Sequence, residues 1–360
     1  MSTPGRSDTV RWGIIGAGMM GQEHIENLLA IDGTAVTAIA DPDPGMRDAA
    51  AALAGPGASV YTDHRALLES GECDAVVVAS PNHTHRVVLD DVLATDLAVL
   101  IEKPMCITVD DCRAVVAATE ERSAPVWVGL EYRYMPPVAR LIEEVRGGAA
   151  GDVKMVAIRE HRFPFLVKVG HWNRFSRNTG GTLVEKCCHF FDLMNLLAGG
   201  TPSRVMASGA QDVNHLDEVY DGERSDILDN AFVIVEYDNG VRGHLDLCMF
   251  AEATHNQEEI SVVGSAGKVE ALIPDDVVRI GRRGDHWIGG VEVHEVANTI
   301  AHQGLHHGSS MVEHQKLHDI IVDGGEPEVT VHDGLLSVAV GLAAHRSIDE
   351  QRPVSMTEIL

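Results

Sequence analysis

A short segment carrying three glycines, Gly16-Ala17-Gly18-Met19-Met20-Gly21, sets the narrowest limits on what this chain can fold into. It follows the apolar run Val10–Ile15 and precedes a helix-like stretch from Gln22 to Ala30. Placed between a strand and a helix, G-x-G-x-x-G has a mechanical meaning. The first glycine permits a tight turn, the second lets the backbone approach a pyrophosphate, and the third packs helix on strand. The helix N-terminus then presents free N–H groups to the phosphates.

The next apolar run, Ala35–Ala40, ends in Asp41. A carboxylate there accepts the adenine-ribose hydroxyls and repels a 2′-phosphate, which favours NAD over NADP. The competing reading is that Asp41 only caps the Asp-Pro-Asp-Pro turn. Three further runs end in polar residues. Ala75–Ala79 leads into Ser80-Pro81-Asn82-His83-Thr84-His85, Ala98–Ile101 into Glu102-Lys103-Pro104, and Val126–Gly129 into Glu131-Tyr132-Arg133-Tyr134. Ligands of open parallel sheets sit outside the carboxyl ends of the strands, so these are site candidates. The pattern predicts an α/β fold whose N-terminal part is a doubly wound parallel Rossmann sheet.

From about residue 150 the alternation changes. Apolar–polar runs at Val153–Arg162, Arg204–Gln211, Ala231–Tyr237, Val241–Met249, Glu259–Val263 and Lys268–Ile273, with the turn Asp238-Asn239-Gly240, predict a largely antiparallel sheet. One long apolar helix, Leu183–Leu197, is expected between the first two strands. A length of 360 residues accommodates two domains. The expected division is 1–127 for the NAD-binding domain, 128–330 for a substrate and oligomerisation domain, and 331–360 for a final helix and tail.

The formal charge of −26 argues against nucleic-acid or anionic-membrane partners. Met1–Asp8 lacks an apolar signal-peptide core, and no run approaches membrane-spanning length. Six cysteines with no CxxC pair read as reduced thiols, which points to the cytoplasm, and no metal-ligand spacing occurs.

Gly16-x-Gly18-x-x-Gly21, Asp41-Pro42, Ser80-Pro81-Asn82 with His85, and Glu102-Lys103-Pro104 together resemble the Gfo/Idh/MocA oxidoreductases. The resemblance extends through the last helix, Val331-His332-Asp333-Gly334 to Arg352-Pro353-Val354. It implies NAD as cofactor and an α/β second domain whose open sheet face supports a dimer or tetramer. It also implies that Lys103 hydrogen-bonds the reacting hydroxyl, and that Gly16, Gly18, Met19, Met20, Gly21, Asp41, Ser80, Asn82, His85, Glu102 and Lys103 form the cofactor site. The family's second motif, D-x-G-x-H-x-x-D, falls on Glu185-Lys186-Cys187-Cys188-His189-Phe190-Phe191-Asp192, with Glu in place of the first Asp and Cys in place of Gly. Glu185 and His189 are expected on one helix face, with Asp192 able to orient the His189 ring. Lys103 and His189 are then the acid–base candidates. Tyr132 or Tyr134 is open as a further one.

Charge within the second half is uneven. Between Lys154 and His189 lie seven Lys/Arg and two Glu, a local balance of +5 in a chain of −26. Lys168, His171, Trp172 and Arg174, with Lys186, suit a sugar that carries a sulfonate, carboxylate or phosphate. The alternative is that these cations pair with acids. The Lys168–Arg174 loop and the Glu185–His189 run look like NAD-dependent sulfoquinovosidases related to the family. That likeness implies redox-neutral glycoside cleavage by transient oxidation at carbon 3. An ordinary NAD-dependent sugar or inositol dehydrogenase is the alternative, and a non-catalytic NAD-binding regulator a remote third.

Overall fold

The computed structural model describes residues 9–284, 290–304 and 306–360. Two compact units divide the chain. In the first, the apolar runs become β1 (Val10–Ile15), β2 (Thr34–Ala40), β3 (Ser59–Tyr61), β4 (Ala75–Val78), β5 (Ala98–Ile101) and β6 (Val126–Val128). Helices α1 (Met19–Leu29), α2 (Pro44–Ala54), α3 (His64–Glu69), α4 (His85–Leu93) and α5 (Val109–Thr119) alternate with them. The strands pair in the order β3-β2-β1-β4-β5-β6, every pair parallel. Parallel strands covered on both faces read as unbroken apolar runs, and β4 and β5 are buried at every residue. Strand order reverses between β1 and β4, which opens a crevice for a ligand at their carboxyl ends.

The second unit begins with α6 (Pro136–Arg146) and β7 (Val153–His161), followed by three short helical pieces, α7 (Ser176–Thr179), α8 (Thr182–Glu185) and α9 (Cys188–Ala198). Strand β8 (Pro202–Ala210) comes next, then the small pair β9 (Val219–Tyr220) and β10 (Glu223–Arg224). The remaining strands are β11 (Asn230–Tyr237), β12 (Arg242–Cys248), β13 (Glu258–Gly264), β14 (Gly267–Ile273), β15 (Val277–Arg282), β16 (Val291–Glu295) and β17 (Val354–Ser355). They form one sheet in the order β16-β15-β14-β13-β7-β12-β11-β8-β17. Only β7 and β12 pair in parallel, as the expectation of a largely antiparallel sheet requires. Alternation is clean on β11 and β12, whose inward Ala231, Val233, Val235, Leu245 and Leu247 are buried.

Two expectations need correction. Residues 300–330, expected in the substrate domain, and the first five of the expected final helix cluster with the first unit as Ile300–Leu335. The Ser309–Asp323 helix is tied there by its polar side chains. Trp127 Nε1 donates to Glu313 Oε1 at 2.8 Å, and His318 Nε2 lies 3.2 Å from the Gly33 carbonyl. The expected single helix Leu183–Leu197 is interrupted. At Cys187 ψ opens to −3°, so the ladder of α8 stops and α9 restarts it at Cys188.

The Trp127–Glu313 bond yields a stability test, because both residues are almost fully buried. Trp127→Phe keeps the ring plane but removes the donor, and should destabilise the fold by about 1–3 kcal/mol. A urea midpoint equal to that of the parent would show that the bond contributes nothing.

Candidate functional site

In the first unit the glycine loop has the geometry its spacing promised. Gly16 has φ +95°, and a Cβ there would stand 2.5 Å from Ala79 C and Ser80 N. A Cβ on Gly21 would stand 2.0 Å from the Gly16 carbonyl oxygen, so α1 can begin only against bare backbone. Gly18 differs, because a Cβ there meets nothing within 4 Å. It is the N-cap of α1, and no side chain caps the helix. Open space over uncapped N–H groups fits a pyrophosphate. Met19 is exposed and Met20 half-buried in that first turn.

Asp41 is held toward the loop. Its Oδ2 accepts the Ala17 N–H at 2.7 Å and its Oδ1 the Asp43 N–H at 2.8 Å. The carboxylate therefore fastens the turn and faces the glycine loop with lone pairs to spare. Asn82 is buried, and its Nδ2 has no hydrogen-bond partner among the described residues. That orphaned donor fits a ligand carbonyl or hydroxyl. Ser80 accepts from Thr84 Oγ1 at 2.7 Å. His85 is wholly buried. Its ring spans from the Ser80 carbonyl (2.9 Å) to the Pro104 carbonyl (3.0 Å), and burial lowers its pKa. It braces the two loops against each other and has no exposed face for a cofactor, which corrects its expected role.

Lys103 is half-buried at the end of β5, and its N–H donates to Glu102 Oε2 at 2.9 Å. Burial alone would raise the Glu102 carboxyl. The hydrogen bond and electrostatic pull of His24, helped by Lys103, bring it down to about 2. His24 Nε2 lies 2.8 Å from Glu102 Oε1, and its Nδ1 lies 2.8 Å from His314 Nε2. Burial drives His314 well below the usual histidine value, so it stays neutral and supports His24 without adding charge. His306 Nδ1 is 3.6 Å from both Glu23 and Glu131, and burial pushes Glu131 up. Of Glu23, His24, Glu131, His306 and His314, only Glu131 stood at a strand end where the sequence could flag it.

In the second unit Tyr132 and His189 come together, with rings stacked at 4.0 Å and 10°. Lys186 Nζ donates to the Tyr132 hydroxyl at 2.6 Å and pairs with Glu160 at 3.0 Å. Tyr134 is buried in the same turn as Tyr132, and Glu185 is buried at the end of α8. Glu185 ends α8 and His189 lies in the first turn of α9, so the two stand on successive helical pieces rather than on one helix. Asp192, expected to orient His189, gives both oxygens to Arg133. A buried guanidinium claims a carboxylate in bidentate fashion wherever geometry allows.

The cationic segment is mostly neutralised by its own unit. Lys154 faces Asp152, Arg159 faces Glu259, Arg162 and Lys186 face Glu160, Arg174 faces Glu218, and Arg177 faces Glu223. Arg174, expected to bind substrate, is 2% exposed, and its Nε donates to Glu218 at 2.9 Å. Lys186 is equally enclosed. Both are structural cations here, because a buried charge must be matched inside the fold. Around them, Lys168 opens a turn in which Gly170 and His171 both have positive φ, +65° and +54°. His171 stacks on Tyr220 at 4.5 Å, and the Trp172 carbonyl accepts from Asn178 at 3.0 Å.

Residues 10–130 match the family model described as the NAD-binding Rossmann fold of the Gfo/Idh/MocA oxidoreductases, and residues 142–356 match that family's C-terminal alpha/beta domain. The chain belongs to this family, and it is an NAD-dependent oxidoreductase. Among similar proteins, myo-inositol 2-dehydrogenase of Thermotoga maritima is 26% identical over 356 residues, 98% of this chain and 100% of that one. The rhizopine catabolism protein MocA of Rhizobium meliloti is 30% identical over 199 residues, 54% of this chain and 58% of that protein. Levoglucosan dehydrogenase, solved with NADH and levoglucosan, superposes with a TM-score of 0.84 at 19% identity, covering 97% of this chain and 99% of that one. An oxidoreductase from Agrobacterium radiobacter, solved with NAD+, L-tartaric acid and magnesium, gives 0.83 at 19%, covering 98% and 99%. At these identities the two structures speak for the fold alone.

Three substitutions separate folding from cofactor binding. Gly21→Ala should lower the melting temperature, because its Cβ collides with backbone. Gly18→Ala should leave melting unchanged and weaken NAD binding. Asp41→Ala should raise the KM for NAD about tenfold or more and soften the preference over NADP, since one charge-assisted hydrogen bond contributes roughly 1.5–3 kcal/mol. Parent enzyme that uses NAD and NADP equally would contradict the role of Asp41.

Proposed function

We propose that this protein oxidises a ring hydroxyl of a neutral polyol or sugar, with NAD as the hydride acceptor. The observation that carries this reading is the Tyr132–His189 stack with the Lys186 ammonium 2.6 Å from the phenol oxygen. A carbinol gives up hydride only as a base takes its hydroxyl proton, and such a group of residues handles that proton. Lys103, fixed at the end of β5 through Glu102, is proposed to hold the reacting oxygen and steady its negative charge. NAD, when bound, accepts the hydride and returns it in the reverse direction. The glycine loop and Asp41 would hold its phosphates and ribose. Inositol 2-dehydrogenases similar to this chain over 97–98% of its length support the substrate class.

Redox-neutral cleavage of an anionic glycoside is the second reading. Its motive was the +5 segment, and six of those seven cations face carboxylates of the same unit. The likeness of the Glu185–His189 run to sulfoquinovosidases is what still favours it. A dimer or tetramer formed through the outer face of the second sheet is part of the proposal, because Met155, Met206, Phe232 and Ile234 stand 40–59% exposed there.

Purified protein with NAD should reduce it stoichiometrically on myo-inositol or a neutral sugar. Lys103→Ala and His189→Ala should each cost about 10²–10⁴-fold in kcat while NAD still binds. Aglycone release from a nitrophenyl sulfoquinovoside with no accumulation of NADH would instead establish the glycosidase.

A further inference from the structure

Glu160 and Glu258 form a charge arrangement that the proton chemistry above does not use. They stand directly opposite each other in the antiparallel pairing of β7 and β13, at 0% and 1% exposure. Cross-strand partners lie about 4.5–5.5 Å apart at Cβ, and two ionised carboxylates that close without water repel strongly. Neither Glu160 oxygen, nor Oε2 of Glu258, receives a hydrogen bond among the described residues. A proton between the two carboxyls is the donor they lack.

Two cations and one neutral amide face the pair. Lys186 approaches Glu160 at 3.0 Å from the turn between α8 and α9, and Arg162 approaches it at 3.5 Å from beyond the end of β7. Gln257 Nε2 donates to Glu258 Oε1 at 2.6 Å. On β14 the residue opposite Glu258 is Ile273, which brings no charge. Burial and the neighbouring Glu160 push the Glu258 carboxyl up to about 8, against the pull of Lys186.

We propose that Glu160 and Glu258 share one proton, and that the pair thereby leaves a net positive charge at Lys186 facing the Tyr132–His189 group. With the proton in place, two cations stand against one anion. Without it the cluster is neutral, and the ammonium beside Tyr132 is fully claimed by carboxylate. Positive charge set beside an oxygen that becomes negative in the transition state is among the larger contributions to catalysis. Glu160 and Glu258 are therefore positioning residues that tune the acid–base group without touching substrate. The inference rests on the dehydrogenase reading for its kinetic test.

Two measurements decide it. In the first, kcat of the parent falls through an alkaline limb near pH 8, where the Glu258 carboxyl, pushed up to about 8, loses its proton, and Glu258→Gln, which cannot ionise, lacks that limb. A variant that keeps the limb unchanged overturns the proposal. The second needs no substrate, so it stands even if no polyol or sugar reduces NAD and the dehydrogenase reading fails. Infrared difference spectra of parent and Glu258→Gln should show the carbonyl band of a neutral carboxylic acid at neutral pH, fading as pH passes about 8. Absence of that band at neutral pH overturns the proposal. Thermal melting checks the fold of the variant and carries the same sign. A carboxyl that keeps its proton when folded stabilises fully below about 4.5, and the benefit is gone above about 8. The parent's melting temperature should fall across that window more steeply than the variant's.

Discussion

Charge taken out of water must be matched within the fold, and both units are organised around that requirement. In the first, Glu102 is buried and kept ionised by His24, which His314 and Trp12 hold from behind. This fixes the backbone from which Lys103 projects. In the second, Lys186 is 4% exposed and divides its ammonium between the Tyr132 hydroxyl and Glu160. Removing Glu160 would leave a buried ammonium without its counter-ion, which costs far more than a lost surface pair. The reactive geometry is thus a by-product of electrostatic necessity.

The parallel sheet was legible because its signals are local. Apolar runs bounded by polar strand ends, and a glycine spacing that only one backbone path explains, placed five of the strands and the loop at Gly16–Gly21 to within a residue or two. Strand β3 is three residues long with half-exposed side chains, and it carries no such run. The Ser309–Asp323 helix was missed for a different reason. Its buried face is made of Ser309, Ser310, Glu313, His314 and His318 beside Leu317, so hydrophobic periodicity had almost nothing to detect. Assigning residues 300–330 to the wrong unit followed from that, and with it the roles of His306 and His314 were lost.

The candidate site divides the same way. Residues at strand ends, such as Asp41, Asn82, Lys103 and Glu131, could be found by position. Partners across strands could not. Glu160 sits mid-pattern in an alternating run, and Glu258 was left just outside the expected strand. Nothing local marks two glutamates as facing one another until the register of β7 and β13 is known. Glu185 and His189 fall on different helices, because the turn at Lys186–Cys187 interrupts the run that helical periodicity takes as unbroken, whereas His189 and Asp192 share α9.

The same distinction bears on substrate class. A window count of +5 measures covalent neighbours, whereas a ligand feels the field that remains after spatial pairing. Glu218 and Glu223, which face Arg174 and Arg177, lie outside the counted window, as do Asp152 and Glu259. Once they are included, most of the surplus is gone, and Arg174 is shielded from solvent as well. An anionic sugar group that recruited any of the six cations facing carboxylates would replace one ion pair with another for little net gain. A neutral polyol asks for no such exchange. It asks for hydrogen-bonding groups and a stabilised oxygen rather than for a matched charge.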